Sequence, residues 1–306
     1  MTVIFLGDSL FDIGNLTTAA VPFGIQPFPS PPYNQGKASN GQVLGEAIAD
    51  RLGINANYLI GNSMVSTPPN PLENNVVYAF AGATTGIFGS KANILDTFPI
   101  GLQSQIQSFQ NNLVVDNLIH NPIEVFISAG SNDVLEILAD PNFVNIFLTP
   151  ENDDNELLIN QTANNIVNNI SQGIEGIENQ TENITIIGLS PLGNTPFVIK
   201  TDQQIDGNIP LDISGQISSF FNNISAKVNE ELIAKFDNPN QEIPNVKVID
   251  GFDAFNNGLN LWQNNLMASP IIDISYLDYI SGNTNLQENL TLEQFAFLMV
   301  HILHQY

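Results

Sequence analysis

The sequence of 306 residues contains no cysteine and only seven lysine and arginine residues. The absence of cysteine excludes disulfides, thiolate chemistry and sulfur-ligated metals. The 31 acidic residues bring the formal net charge to -24. Because no basic cluster is available to contact phosphates, neither nucleic acid nor an anionic membrane surface is expected as a partner.

Long hydrophobic runs are also missing. No apolar stretch approaches the ~20 residues that a membrane-spanning helix requires. No positively charged, apolar leader precedes the first predicted strand, so we expect a cytoplasmic protein, a leaderless route of export, or a leader already removed. Hydrophobic residues make up 43% of the chain, and neither a linker nor an internal repeat divides it. We therefore predict a single domain over residues 1–306.

Five short apolar runs bounded by turn residues are typical of buried strands. They are Val3–Leu6, Val76–Phe80, Glu124–Ser128, Ile184–Ile187 and Val246–Ile249. Segments with helical periodicity separate them, at residues 42–52, 102–109, 156–174 and 213–236. This alternation predicts an α/β fold in which helices cover both faces of a five-stranded parallel sheet, a three-layer α/β/α sandwich. Functional residues are then expected beyond the carboxyl ends of the strands.

Small and polar residues follow the first three predicted strands. Ser9 stands in Gly-Asp-Ser-Leu after the first strand, Gly82 follows the second, and Asn132 lies in Gly-Ser-Asn-Asp after the third. A serine hydroxyl is a weak nucleophile until an adjacent base accepts its proton. Ser9 is therefore a candidate nucleophile whose activity depends on a base beside it.

The sequence resembles the GDSL, or SGNH, ester hydrolases through four segments in the family's order. They are residues 7–15 (GDSLFDIGN), 31–41 (PPYNQGKASNG), 78–86 (YAFAGATTG) and 126–133 (FISAGSND). The resemblance implies the SGNH, flavodoxin-like fold and a serine esterase or lipase without cofactor or metal. It also implies an oxyanion hole made of the Ser9 N–H, the Gly82 N–H and the Asn132 side-chain amide. Asp8 and Asp12 are expected to be structural hydrogen-bond acceptors, and Asp133 to cap the following helix.

The resemblance fails at the C-terminal block, where the family has Asp-x-x-His-Pro-Thr. If Thr291 is matched to the family's threonine, Leu286 falls on the aspartate and Asn289 on the histidine. A second match through residues 278–281 keeps an acid, Asp278, but puts Ser281 on the base.

None of the three histidines is expected near Ser9. His120 precedes the third predicted strand and so belongs to the opposite end of the sheet. His301 lies about 18 Å beyond Asn289 on a helix rising ~1.5 Å per residue, and His304 lies farther still. All three are interpreted as helix-end or surface residues.

Two functions are consistent with these residues. In the first, the protein hydrolyses an acyl or acetyl ester through Ser9 with an improvised base, such as Glu288, a water held by Asp278, or a histidine brought in by a departure from the family's fold. Acyl transfer to an alcohol would use the same residues. In the second, the protein is a catalytically impaired pseudoenzyme that binds an ester, acyl or glycan ligand without turnover. Either function predicts a small-molecule, lipid or glycan ester as the partner.

Overall fold

The computed structural model describes residues 2–28, 33–39, 41–54, 59–60, 76–91, 96–116, 122–140, 142–148, 153–208, 213–237, 243 and 245–257. Strands and helices alternate along this part of the chain. The strands are β1 (Thr2–Gly7), β2 (Leu59–Ile60), β3 (Val76–Val77), β4 (Ile123–Ser128), β5 (Asn183–Ile187) and β6 (Val246–Ile249). The α-helices are α1 (Asn15–Ala20), α2 (Leu44–Leu52), α3 (Leu102–Asp116), α4 (Ser131–Leu135), α5 (Asn145–Leu148), α6 (Asp153–Ile177), α7 (Pro196–Asp206) and α8 (Gln216–Phe236).

The strands form one sheet in the order β2-β3-β1-β4-β5-β6, and each neighbouring pair is parallel. β1 lies inside the sheet, with β3 on one side of it and β4 on the other. The loops after these three strands therefore meet at one edge, where a doubly wound sheet opens a crevice.

The predicted α/β/α class is confirmed, and each of the five predicted strands is present. The sheet contains one strand more, the edge strand β2, whose two residues are too few to produce a recognisable apolar run. The strand predicted over Val76–Phe80 is limited to Val76–Val77 in the structure, although the N–H groups of Tyr78 and Phe80 still donate to the carbonyl oxygens of Phe5 and Gly7. The carbonyl oxygens of Val77 and Ala79 accept hydrogen bonds from the side chain of Asn15.

Both faces of β1 are buried, as parallel sheets require. Ile4 and Leu6 face a large core to which α3, α6 and α8 contribute. Val3 and Phe5 face the opposite core, which includes Ala49 of α2. The Phe5 ring stacks on Phe126 of β4 at a centroid distance of 5.4 Å. β1 is thus held from both sides, and its carboxyl end is a rigid support for the residues that follow.

Candidate active site

The candidate nucleophile follows a strand end that is fixed by a buried amide. Gly7 N–H donates to Gln105 Oε1 (2.7 Å), and Gln105 Nε2 donates to Gly7 O (2.8 Å). Gly7 has φ 136°, and a Cβ at this position would lie 1.8 Å from Ser128 O. Only glycine therefore lets β1 and β4 approach so closely here. Ser9 occupies the turn that follows and is partly exposed.

Asp12 and Asn15 connect the Ser9 segment to the chain that leads to Gly82. The carboxylate of Asp12 is fully buried and accepts the N–H groups of Gly14 (2.7 Å), Leu16 (3.1 Å) and Ala81 (2.7 Å). Asn15 Nδ2 donates to the carbonyl oxygens of Val77 and Ala79. Burial raises the pKa of Asp12, and the donated N–H groups oppose that rise. Asp12 is the structural acceptor that the sequence predicts.

Gly82 lies in a tight loop after β3 and has φ 79°, a left-handed conformation that favours glycine. Its carbonyl oxygen accepts the N–H of Ser90 (2.7 Å), and Ala83 forms an antiparallel bridge with Gly89. The sequence suggests a glycine here so that substrate can approach the backbone. The structure adds a second reason for glycine at this position, because its positive φ disfavours other residues whether or not a ligand is bound.

Asn132 is buried in the first turn of α4 and is only 2% exposed. Its Nδ2 donates to Ala83 O (2.8 Å), next to Gly82. A primary amide carries a second hydrogen that this bond does not use. The side chain therefore both supports the Gly82 loop and keeps a donor for another acceptor.

Asp133 does not cap the following helix, contrary to the sequence-based expectation. The N-cap residue of α4 is Gly130, without a side-chain capping bond. Asp133 reaches instead to Thr85, accepting its N–H (2.9 Å) and its hydroxyl (2.6 Å), while Asn169 Nδ2 donates to the same hydroxyl (2.9 Å). A tertiary partner 48 residues away cannot be read from the local sequence.

Ser9, Gly82 and Asn132 follow three adjacent strands, β1, β3 and β4. The Asn132–Ala83 bond joins the Asn132 helix to the Gly82 loop, and the Asp12–Ala81 bond joins that loop to the Ser9 segment. The three candidate residues thus belong to one hydrogen-bonded unit at one edge of the sheet. Its polar groups are backbone N–H donors, a primary amide and a hydroxyl, which suit the binding of a carbonyl oxygen.

Buried carboxyl groups dominate the electrostatics of this edge. Burial raises the pKa of Asp8 to about 7, and the nearby charge of Asp133 adds to the rise. Burial also raises the pKa of Asp133 to about 6, against the lowering effect of its bonds from Thr85. The edge therefore carries little negative charge at mildly acidic pH and gains charge as the pH rises.

The residues considered as base lie outside the described part of the chain. They are the three histidines, the positions matched to the family's aspartate and histidine, and the improvised candidates: His120, His301, His304, Leu286, Asn289, Asp278, Ser281 and Glu288.

Exposed apolar side chains lie on the segments that follow α1 and Gly82. Val21 and Phe23 are 60% and 57% exposed on the segment after α1, and Ile87 and Phe88 are 54% and 52% exposed beyond Gly82. The Phe23 ring meets Phe98 edge-to-face at 5.4 Å, and Gly89 N–H donates to Phe98 O. We call Val21, Phe23, Ile87, Phe88 and Phe98 the apolar rim. Residues 13–36 and 76–90 contain no charged side chain, although the whole chain carries a net charge of -24.

Within the described residues, no group of three histidine, cysteine or acidic side chains is arranged to hold a metal ion. The helices that the structure describes include none long and apolar enough to cross a membrane.

The comparison with curated proteins gave no match. The model of the GDSL-like Lipase/Acylhydrolase family matches residues 3–273, a region that contains all six strands except Thr2 of β1, and all three candidate residues. The match supports a hydrolase of the lipase or acylhydrolase type, and an ester as its substrate. It covers most of the sequence, and the chain therefore belongs to the GDSL-like lipase/acylhydrolase family.

Proposed function

We propose that this protein is a GDSL-type serine hydrolase of acyl esters, with Ser9 as nucleophile and an oxyanion hole formed by Ser9 N–H, Gly82 N–H and the Asn132 amide. One observation carries the proposal. The three residues follow adjacent strands in the order β3-β1-β4, and hydrogen bonds through Asp12 and Asn132 join their segments. The family match supports the same class of reaction.

In this mechanism Ser9 Oγ attacks the ester carbonyl carbon and its proton passes to a base. The carbonyl oxygen becomes an oxyanion, which the three donors stabilise, each contributing roughly 3 kcal/mol in the transition state. The alcohol leaves with a proton, and an acyl group remains on Ser9. Attack by water on this acyl-enzyme releases the carboxylic acid and restores the serine hydroxyl. The second hydrogen of the Asn132 amide is suited to this role because the Ala83 bond uses only one.

The apolar rim favours an extended acyl group over acetate. Four of its side chains are more than half exposed, and they lie on the uncharged segments that follow α1 and Gly82. Each methylene buried on such a surface adds about 0.8 kcal/mol to binding. Catalytic efficiency on p-nitrophenyl esters should therefore rise from acetate to octanoate, and Phe23→Ala should flatten that rise. Leu157→Ala is the matched control, since Leu157 is 55% exposed on α6.

One sequence observation favours a second function. The family's aspartate and histidine fall on Leu286 and Asn289, and loss of a triad base typically costs on the order of 10⁶ in turnover. A protein that kept the donors without a base would bind an acyl ester and release it unchanged.

Labelling with a fluorophosphonate probe separates the two functions. An activated Ser9 reacts rapidly, and Ser9→Ala abolishes the reaction, whereas an unactivated serine reacts slowly or not at all. Rapid labelling that depends on Ser9 would establish the hydrolase. Slow labelling, together with binding of a p-nitrophenyl octanoate that stays intact, would establish the non-catalytic binder.

A further inference from the structure

The Gly82 loop is held at both ends by carboxylates, that of Asp12, which is fully buried, and that of Asp133, which is partly buried. On one side Asp12 Oδ2 accepts the N–H of Ala81 at 2.7 Å, and on the other Asp133 Oδ2 accepts the N–H of Thr85 at 2.9 Å. Asp12 is 0% exposed, and the hydroxyl of Thr85 donates a second bond to Asp133 at 2.6 Å. Hydrogen bonds to buried charged acceptors are about twice as strong as neutral ones.

Each carboxylate comes from a segment that carries another candidate donor. Asp12 lies three residues after Ser9, and Asp133 directly follows Asn132 in α4. The bond from Asn169 Nδ2 to Thr85 Oγ1 (2.9 Å) adds α6 to the Asp133 side. The two carboxylates therefore fix the Gly82 loop relative to both the serine segment and the asparagine helix.

We propose that Asp12 and Asp133 are positioning residues that hold the Gly82 N–H in line with Ser9 and Asn132 as donors to one oxyanion. The inference rests on the proposed function, because only a shared oxyanion requires this alignment. Donors act when they lie 2.7–3.1 Å from the oxyanion, and a displacement of about 1 Å can reduce the rate roughly 100-fold. Neither carboxylate needs to touch the substrate.

The test compares Asp133→Asn with Asp202→Asn. Asp202 is an aspartate that is 4% exposed, and it accepts the N–H of Ser218 near the start of α8. Both variants remove a carboxylate that accepts a backbone N–H, but only Asp133 contacts the Gly82 loop. We expect Asp133→Asn to slow fluorophosphonate labelling of Ser9 and kcat for a p-nitrophenyl ester by roughly 10- to 100-fold, with KM changed by less than about threefold. Asp202→Asn should change neither by more than about twofold, and the melting temperature of each variant records its separate effect on stability.

Thr85 provides a second variant pair in case Asp133→Asn folds poorly. Thr85→Val keeps the size of the side chain but removes the hydroxyl shared by Asp133 and Asn169. Thr85→Ser keeps that hydroxyl and should lose less activity than Thr85→Val. If the substitutions acted only by lowering the stability of the fold, restoring the hydroxyl in Thr85→Ser would not be expected to restore activity.

Amide NMR signals give a readout that needs no turnover. The Thr85 and Gly82 N–H signals should titrate together with a midpoint near the Asp133 pKa of about 6. This titration should vanish in Asp133→Asn and persist in Asp202→Asn. If the wild-type protein shows no Ser9-dependent labelling, the proposed hydrolase fails, whereas the amide titration still shows separately whether Asp133 holds the Gly82 N–H in place. The positioning role is wrong if the Gly82 amide signal does not titrate with Asp133. It is also wrong if Asp133→Asn and Asp202→Asn lose equal activity.

Discussion

The carboxyl group of Asp8 should make the protein less stable as the pH rises, and Asp8→Asn should remove that effect. Asp8 is 1% exposed, and burial raises its pKa from an ordinary 3.8 to about 7. A group that binds its proton more tightly when folded stabilises the fold fully below the pKa of the unfolded chain. That stabilisation is lost as the pH rises through the folded pKa. The free energy of unfolding should therefore fall between pH 4 and pH 8, by up to about 4 kcal/mol from this group at 1.36 kcal/mol per unit.

Urea denaturation of both proteins from pH 4 to pH 8.5 measures this contribution. The asparagine introduced by Asp8→Asn keeps a side-chain oxygen, which can accept the Leu10 N–H as Asp8 does at 3.1 Å in the wild-type protein, so both proteins should be similarly stable at pH 4. At pH 8 the variant should be the more stable of the two by up to about 4 kcal/mol. The pKa values of Asp12 and Asp133 are also raised and give a trend of the same sign, which largely cancels in the difference. Parallel stability curves across this range would refute the argument that burial raises the pKa of Asp8.

Three further predictions concern the Gly82 loop, a buried ion pair and the unmatched C-terminal block. Gly82→Ala should lower the free energy of unfolding by about 1–2 kcal/mol because φ is 79°, and should slow Ser9 labelling; denaturation and probe kinetics test both effects. Glu46→Gln should cost about 1–3 kcal/mol in urea denaturation, since it removes the charge that pairs with the 4%-exposed side chain of Lys37 at 2.8 Å, and adding Lys37→Met should recover part of that loss. Leu286→Asp combined with Asn289→His should raise p-nitrophenyl esterase activity by roughly 10² to 10⁴, whereas Leu286→Asp alone should do little; a folded double variant with no gain would mean that the alignment at Thr291 is wrong.

The sheet could be predicted because its strands are buried on both faces. Such strands appear in the sequence as short, continuous apolar runs, and the parallel arrangement follows from the helical segments between them. The positions of Ser9, Gly82 and Asn132 follow from the same rule, since the carboxyl ends of parallel strands share one edge. Strand β2 was not predicted, because its two residues are too few to show a periodic pattern.

Polar side chains that bind distant backbone groups could not be placed from sequence. Asp133 occupies a position typical of a helix cap, yet it binds Thr85 across 48 residues. The sequence does indicate that Gln105 is buried, because it is spaced with Leu102, Ile106 and Phe109 on the apolar face of α3. In the structure Gln105 is only 3% exposed. A polar residue on a buried helix face must find a partner, but the pattern does not reveal that the partner is Gly7.

Burial of apolar surface and directional hydrogen bonds differ in how clearly the sequence reveals them, and this difference matters for the candidate site. Burial of apolar surface is non-directional, so its pattern along the chain is enough to predict layers and strand ends. The alignment of Ser9, Gly82 and Asn132 that the proposed function requires depends instead on directional bonds between segments, chiefly those of Asp12, Gln105 and Asp133. None of these three side chains belongs to the proposed set of donors. Substitutions at these supporting positions should therefore affect the proposed reaction more than their distance from the substrate would indicate, which is the difference that Asp133→Asn and Asp202→Asn are designed to measure.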